Sequence, residues 1–428
     1  MSSSPAGLDV LSNEKSSYIN PADLQSDPEK LIDVPNVRQD AFGDEEFAEV
    51  KYKVLKWWQC GLLMVAETVS LGVLSLPAAV AGLGLVPAIL VLIFLGSLAT
   101  YTGYVIGQMK WKYPHISTMA DAGEVIAGKW GREFLGGAQI IFLIFVMASH
   151  LLTFTVAMNT ITKHGTCSIV FGIVGMIVSF ICSLPRTLAK MSWLSIVSFA
   201  SIMTAVIIVM IGVGITKPGT GVVAVVDTDL FHDFTKSLCL LQGIDMGLYI
   251  TAALVIYRYA GSDVTSPALG SASPIVAKVA YGISLPTIII AGVINGHIAF
   301  KYVYLRIFQG TDRMHKRDWI ATGSWIGIAL TLWILAWIIS SAIPVFSNLL
   351  SLITALFASW FTYGLSGIFW LFMNKGKWFS SPRKIALTLL NVIVISVGAA
   401  LCGLGLWVSG KSLHDNPSSA SFSCANNA

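Results

Sequence analysis

An acidic side chain lies inside the apolar stretch CGLLMVAETVSLGVLSLPAAVAGLG, which covers residues 60–84. Glu67 is followed there by two hydroxyl side chains, Thr68 and Ser70. A carboxylate at the centre of a bilayer costs about 3 kcal/mol on insertion scales, so an acid kept at that depth is a candidate functional group. Such a carboxyl group can bind and release a proton. The alternative is a structural carboxyl group that is hydrogen-bonded to a neighbouring helix.

The same stretch contains two residues that interrupt helices, in the segment SLGVLSLP at 70–77. Gly72 permits a turn and a close approach, and Pro77 lacks an N–H, which leaves a carbonyl one turn earlier without its donor. Freed backbone groups are tolerated in a membrane where they line a cavity. A helix broken there offers amides to a carboxylate and carbonyls to a cation. The alternative is a simple kink, because Gly and Pro are common in membrane helices.

The composition places these residues in a membrane protein. The chain has 428 residues, of which 55% are hydrophobic and only 12% are charged, whereas soluble domains have about 25% charged residues. Its apolar runs are near the ~20 residues that a spanning helix needs and too long for barrel strands. We therefore predict an all-α integral membrane fold with ten spans, at about 60–82, 84–107, 134–158, 167–184, 193–215, 238–257, 281–300, 323–343, 346–373 and 385–408.

Three regions follow from the pattern of charge. Residues 1–50 contain eleven acids and three basic residues, which predicts a disordered acidic tail. Residues 51–410 form the transmembrane domain, and 411–428 form a short polar tail. The net charge of +4 includes no basic stripe for nucleic acid. The six cysteines show no spacing that predicts a disulfide or a metal site, and the chain lacks nucleotide-binding or hydrolase motifs. We expect no enzyme activity, metal or cofactor.

The basic loops disagree with a count of ten spans. Three lysines just before the first span predict a cytoplasmic N-terminus. Basic residues in 110–132 and 186–190 then also lie inside, but those in 301–317 and 375–384 fall outside. Changing the count by one between residues 216 and 300 repairs both loops. Either 238–257, which Gln242 and Asp245 interrupt, does not cross, or one span has been lost.

Several long strings resemble one transporter family. KWWQCGLLMVAETVSLGVLSLPAAVAGLGLVPA is similar to the first-helix signature of the amino acid/auxin permease family, and most similar to fungal neutral amino acid permeases of the N amino acid transport system type. The resemblance continues through LATYTGYVIGQ, ASHLLTFTVAMNTIT, SLPRTLAKMSWLSIVSF, VIYRYAGSDVTSPALGSASPIVAKVAYG and IIAGVINGHIAFKYVYLRIF. It covers nearly all of the chain from about residue 50 to 408.

The resemblance implies eleven helices with the N-terminus inside, arranged as two inverted five-helix repeats. It also implies that the first and sixth helices are broken at mid-membrane, where they hold the substrate. This sequence departs at one place, because VVDTDLFHDFT runs directly into KSLCLLQGID and the segment of a sixth helix is absent. The charge count points to the same window, so we favour a lost span over a segment that does not cross.

The resemblance also implies roles for particular residues. A free amino acid is a zwitterion, whose carboxylate needs donors and whose ammonium needs acceptors. The substrate-binding candidates lie in the first span: Glu67, Thr68, Ser70, Gly72 and Ser75. The candidates for proton or ion coupling are Glu67, His150 and Asn295.

Two of these candidates have simpler alternatives. His150 could relay protons because histidine titrates near neutrality, but a buried packing histidine is the favoured interpretation. Asn295 lies in GVINGH on a span that the resemblance places against the first helix, where it would bind an ion or water.

Together these observations predict a secondary active transporter of neutral amino acids, a symporter that works by alternating access with a proton or sodium ion. Its partners would be the amino acid and the lipid bilayer, and the plasma membrane is favoured over the vacuole. The alternative is a transport-incompetent or regulatory pseudo-transporter, or a faulty gene model, that lacks the sixth helix.

Overall fold

The computed structural model describes residues 57–185, 191–216, 233–261, 264–308, 311, 318–415 and 421–427. Within that part, some side chains lie outside the description, among them those of Glu67 and Ser70. The predicted acidic tail at 1–50 also lies outside the described residues. The ten helices that are described are α1 Trp57–Leu83, α2 Leu85–Lys112, α3 Met119–Thr162, α4 Ser168–Cys182, α5 Met191–Thr216, α6 Asp233–Ala260, α7 Pro274–Phe308, α8 Trp319–Ala342, α9 Phe346–Met373 and α10 Pro382–Asp415.

The predicted all-α fold is confirmed, and each predicted span coincides with one of these helices. Within the described residues, seven helices are long and apolar enough to cross a membrane: α2, α3, α5, α7, α8, α9 and α10. Shorter apolar helices occupy 72–83 of α1 and the whole of α4. α10 continues to Asp415, so the first residues of the predicted polar tail at 411–428 are helical, and the domain boundaries stay predictions.

Local hydrogen bonds fix where two of the long helices begin. The Thr118 side chain accepts a bond from the Asp121 amide at 3.3 Å, and the Asp121 carboxylate accepts one from the Thr118 amide at 2.9 Å. This reciprocal pair satisfies two amides that the first turn of α3 would leave without partners. Asp318 caps α8 in a similar way, because its carboxylate accepts from the Ala321 amide at 3.0 Å.

The α3–α7 and α5–α7 pairs run antiparallel, as contacts near both ends of each pair demonstrate. Along α3 and α7, Arg306 bonds to Glu133, and the Tyr302 hydroxyl group lies against Gly136. Further along the same pair, His150 lies against Gly292. Residue numbers therefore rise along α3 as they fall along α7. The same holds for α5 and α7, because Thr287 bonds to the Ser198 carbonyl and Val276 faces Gly212.

Successive helices would normally alternate in direction, but α5 and α6 run in the same direction. Tyr249 of α6 contacts Gly72 of α1, and Ala253 shares a buried cluster with Val80, so α6 runs parallel to α1. Near its end, Tyr259 lies beside Gly214, which is close to the end of α5. The end of α5 and the start of α6 therefore lie at opposite ends of the bundle.

This arrangement bears on the expected inverted repeats. Contacts show that three pairs run in opposite directions: α2 and α6, α3 and α7, and α4 and α8. α5 and α9 do so as well, because α9 runs parallel to α2 and α5 runs parallel to α6. An inverted repeat would give this pattern if α6 were the second helix of the later repeat. The first helix of that repeat would then be absent, as the sequence predicts. The number of crossings in the whole chain stays a prediction.

The described basic loops gather at one end of the bundle, which we call the basic end. Lys112, at the end of α2, donates to the carbonyl of Met373 at the end of α9. Arg306, at the end of α7, bonds to Glu133, which follows a kink of α3 at residues 127–128. The ends of α7 and α9 therefore lie on the same side of the bundle as residues 110–132, which include basic residues of their own.

A disulfide lies at the other end, which we call the disulfide end. Cys167, at the start of α4, is bonded to Cys424 of the C-terminal tail. The spacing of the cysteines does not predict this bond, because the two residues are 257 positions apart and no local pattern connects them. The tail also bonds to α4 and α8, through the Ser168 hydroxyl to the Ala425 carbonyl and the Phe422 amide to the Ser341 carbonyl.

Candidate functional site

Thr68 lies in the middle of α1 and faces α6. Its hydroxyl group is 2.7 Å from the Asp245 Oδ2 and 2.9 Å from the Met64 carbonyl of its own helix. Its backbone carbonyl accepts a bond from the Tyr249 hydroxyl group at 2.6 Å. One residue of α1 therefore holds two polar side chains of α6.

The two helices meet through residues spaced four apart on each. Thr68 and Gly72 lie on one face of α1, and Asp245 and Tyr249 lie on one face of α6, because side chains four positions apart stack on a helix. A Cβ at Gly72 would fall 2.3 Å from the Tyr249 hydroxyl oxygen. Gly72 is needed there to let the tyrosine reach the Thr68 carbonyl. We call these four residues the α1–α6 seam.

The expected break in α1 is not present. The helix is continuous from Trp57 to Leu83 and contains Pro77. A proline removes only one backbone hydrogen bond, and α1 is packed along its length against α6, so the loss does not open the helix. The Ser75 hydroxyl group instead donates to the Gly72 carbonyl at 3.0 Å, within the same helix. Gly72 is confirmed as a point of close approach, not of chain reversal.

The remaining candidates on α1 have no described side chains. Glu67 precedes Thr68 and Ser70 follows it by two positions, and both lie on the described helix backbone. Their roles in binding stay predictions. Of the five substrate candidates, Thr68 and Gly72 are brought together with α6, while Ser75 is half-buried and bonded within α1.

His150 and Asn295 lie in a different part of the bundle, between α3, α7 and α8. His150 is 2% exposed. A Cβ added at Gly292 would lie 3.0 Å from the His150 Cβ and 3.5 Å from the Trp333 ring. Asn295 is buried, and its amide donates to the Ala291 carbonyl at 3.0 Å. Each of the two lies in tight packing, and their coupling role stays a prediction.

Sequence reasoning missed two residues of the seam. From the sequence, Asp245 indicates only an interruption of a weak span, and Tyr249 carries no signal of its own. A signal was present, because a buried acid in a spanning helix is a functional candidate by the rule applied to Glu67. The partner of Asp245 could not be read, because Thr68 is 177 positions away in the chain.

The seven long apolar helices among the described residues are typical of a multi-pass membrane protein, and the α1–α6 seam places polar groups between two helices of its bundle. The family described as "Transmembrane amino acid transporter protein" matches this chain over residues 53–244 and 224–410. The chain belongs to that family. The two matches overlap at 224–244, the window in which the charges and the helix directions depart from simple alternation.

Three relatives match over nearly the whole chain. The "N amino acid transport system protein" of Neurospora crassa is 33% identical over 419 residues, which cover 88% of this chain and 89% of the relative. A "Transmembrane transporter" of Gibberella moniliformis is 28% identical, and another of Fusarium pseudograminearum is 29% identical. Each of these two alignments covers 89% of both proteins. The predicted resemblance is confirmed, and the chain is of a transporter class, not an enzyme class.

Proposed function

We propose that this protein is a secondary active transporter that carries neutral amino acids, coupled to protons, by alternating access. Family membership supports amino acid transport, and the relative named for an N amino acid transport system supports the class of substrate. The single structural observation in favour is the α1–α6 seam. It sets the carboxylate and a hydroxyl group of α6 against a hydroxyl group and a glycine near the middle of α1, the helix that the family resemblance assigns to the substrate.

The chemistry of the seam suits a zwitterion. Carboxylate and carbonyl oxygens accept from an ammonium group, and hydroxyl groups donate to a carboxylate. When the seam is closed, these groups bond to one another, because Thr68 bonds to both Asp245 and Tyr249. Substrate would bind when the two helices separate and these bonds are exchanged for bonds to the amino acid.

We assign the entry of protons to Glu67, with His150 and Asn295 as second candidates. Glu67 lies on α1 one residue before Thr68, and a carboxyl group at the centre of a spanning helix can bind and release a proton. His150 and Asn295 are buried on α3 and α7, away from α6, so any part they play would be indirect. Sodium would be the alternative coupling ion, and no cofactor is proposed.

We also propose an orientation. The basic end faces the cytoplasm, because Lys and Arg in short loops favour that side. The disulfide end faces an oxidising compartment, because disulfides persist there. This gives a cytoplasmic N-terminus, with the plasma membrane favoured over the vacuole. A span is proposed to be absent between α5 and α6, since the connecting residues 217–232 are fewer than the ~20 of a spanning helix.

Uptake of a neutral amino acid in permease-deficient yeast tests the proposal, with acidic and neutral medium and with a protonophore. We expect accumulation that is greater at acidic pH and is abolished by the protonophore. Glu67→Gln should abolish accumulation or remove its pH dependence. Glu124→Gln is the matched control, because Glu124 forms an ion pair with Arg132 near the basic end and lies far from the seam.

Two results would contradict the proposal. Normal uptake by Glu67→Gln at every pH would remove Glu67 from coupling. An absence of uptake by the native chain, with uptake restored when a spanning segment is inserted between α5 and α6, would locate the defect in the lost span.

A further inference from the structure

A cavity of about 350 Å³ lies at the basic end of the bundle, where α2, α9 and α10 meet. We call it the basic cavity. The described side chains that line it include two cations, Arg383 and Lys384, and three neutral polar groups, Gln108, Asn374 and Ser381. None of the described lining residues is acidic. A cleft lined by charge of one sign concentrates ions of the opposite sign, so this cavity favours an anion.

The cations beside the basic cavity have no described acidic partners. The segment NKGKWFSSPRK at residues 374–384 contains four basic residues and no acid. The ion pairs described at this end of the bundle lie within α3 or join α3 to α7, and none involves this segment. Its positive charge is therefore available to an anionic ligand.

Lys384 is held in the wall of the cavity by neutral neighbours. Its ammonium group donates to the Asn374 Oδ1 and lies 5.3 Å from the centre of the Trp370 ring. Both contacts fix the direction of the side chain and leave its charge in place. Its backbone amide donates to the Ser381 hydroxyl group at 3.2 Å, in the first turn of α10. The positive end of the dipole of this 34-residue helix adds to the attraction for an anion.

Hydrogen bonds hold the segment between α9 and α10 against its neighbours. Lys112, at the end of α2, donates to the Met373 carbonyl at 2.8 Å. The Trp378 indole N–H donates to the Leu371 carbonyl at 3.0 Å, and the Thr388 hydroxyl group donates to the Trp378 carbonyl at 3.2 Å. A cavity formed in advance loses less entropy when a ligand binds.

The surroundings of the basic cavity favour a lipid as the source of the anion. α10 exposes Ile385, Leu389 and Ile393, which are four positions apart and form an apolar stripe that begins in its first turn. Trp378 and Phe379 are also exposed, as aromatic side chains at a membrane interface commonly are. An acyl chain can lie along the stripe while its headgroup reaches the cavity. Basic pockets between helices on the cytoplasmic side bind anionic headgroups, and the orientation proposed above faces the basic end to the cytoplasm.

We propose that the basic cavity binds the phosphate group of an anionic phospholipid, with Arg383 and Lys384 as its cationic contacts. This inference goes beyond the proposed function, because a lipid can bind there with neither substrate nor transport. The test uses binding alone, so its result stands whether or not the chain carries amino acids.

Native mass spectrometry of the purified full-length protein, released from detergent, measures the binding of individual lipids. The probes are dioleoyl phosphatidylserine, which is anionic, and dioleoyl phosphatidylcholine, which has no net charge. We expect the native protein to prefer phosphatidylserine. Replacing both cations, with Arg383→Gln and Lys384→Gln together, should weaken phosphatidylserine binding about 25-fold, because each basic residue contributes about fivefold at an anionic surface. Binding of phosphatidylcholine should not change.

Lys375→Gln together with Lys377→Gln is the matched control. It removes the same charge from the same segment, but both side chains are exposed and neither lines the cavity. We expect phosphatidylserine binding to stay close to that of the native protein. Equal weakening in the two double variants would overturn the proposal in favour of a diffuse attraction. Equal binding of the two lipids by the native protein would overturn it as well.

A single variant keeps the test valid if the double variant does not fold. The Arg383 side chain is exposed and forms no ion pair or side-chain hydrogen bond with the described residues, so Arg383→Gln removes charge without removing a structural contact. Its phosphatidylserine binding should weaken about fivefold. Unchanged binding in a folded Arg383→Gln would contradict the assigned contact.

Inorganic phosphate and glycerophosphoserine distinguish a lipid site from a site for a free anion. Both present a phosphate group, but neither has an acyl chain to lie along α10. We expect neither compound to displace phosphatidylserine from the native protein at equal concentration. Displacement of the lipid by inorganic phosphate would identify the cavity as a site for a free anion and would overturn the assignment to a lipid.

Discussion

The buried polar groups of the α1–α6 seam and those between α3 and α7 differ in what they bond to. At the seam, the polar atoms of one helix bond to the other, as the Thr68 hydroxyl group does to Asp245. Between α3 and α7, Asn295 bonds to the carbonyl one turn earlier on its own helix, and His297 lies among the Phe300 and Trp325 rings. A change at the seam should therefore alter function, whereas a change between α3 and α7 should mainly alter stability.

A pair of glycines gives the strongest test of this difference. A Cβ at Gly72 would fall 2.3 Å from the Tyr249 hydroxyl oxygen, and one at Gly136 would fall 2.0 Å from that of Tyr302. We expect Gly72→Ala and Gly136→Ala each to destabilise the protein by about 1–3 kcal/mol through overpacking. Only Gly72→Ala should also raise KM for the amino acid, because only that change displaces the seam.

Melting temperature and uptake kinetics of the two variants check this expectation. Gly82→Ala is the control on α1, because a Cβ there meets nothing within 4 Å. Adding Tyr249→Ala to Gly72→Ala should recover stability by removing the group that clashes. A rise in KM for Gly136→Ala equal to that for Gly72→Ala would remove the distinction between the two regions.

The smallest effect is expected at the basic end, where Glu133 and Arg306 join α3 to α7. Their charged atoms are 2.5 Å apart, but 57% of the Glu133 side chain is exposed. Exposed ion pairs contribute little and are screened by salt. Arg306→Ala should therefore lower the melting temperature slightly at low salt and not at all at high salt, with uptake unchanged. A large loss of uptake in Arg306→Ala would contradict this expectation and indicate that the ion pair has a functional role.

The sequence predicted the helices because their apolar runs are long, and lipid demands an internally bonded backbone. It failed where the answer depended on distant partners. Gly72 and Pro77 favour an interruption locally, but packing along α6 keeps α1 continuous. Asp245 is unusual in the sequence, but its contact with Thr68, which is 177 positions away, depends on how α1 and α6 pack.

The disulfide between Cys167 and Cys424 can form only if the helices between the two cysteines bring both to the same side of the membrane. Seven described helices, α4 to α10, lie between the two cysteines, and an odd number of crossings would leave the thiols in different compartments. The bond exists only if the described helices leave both cysteines at the disulfide end, and the shared direction of α5 and α6 gives this result. During biosynthesis the bond must also wait for α10, because Cys424 follows it. Its formation would therefore report, in one chemical step, that every helix before it had been inserted in the correct orientation.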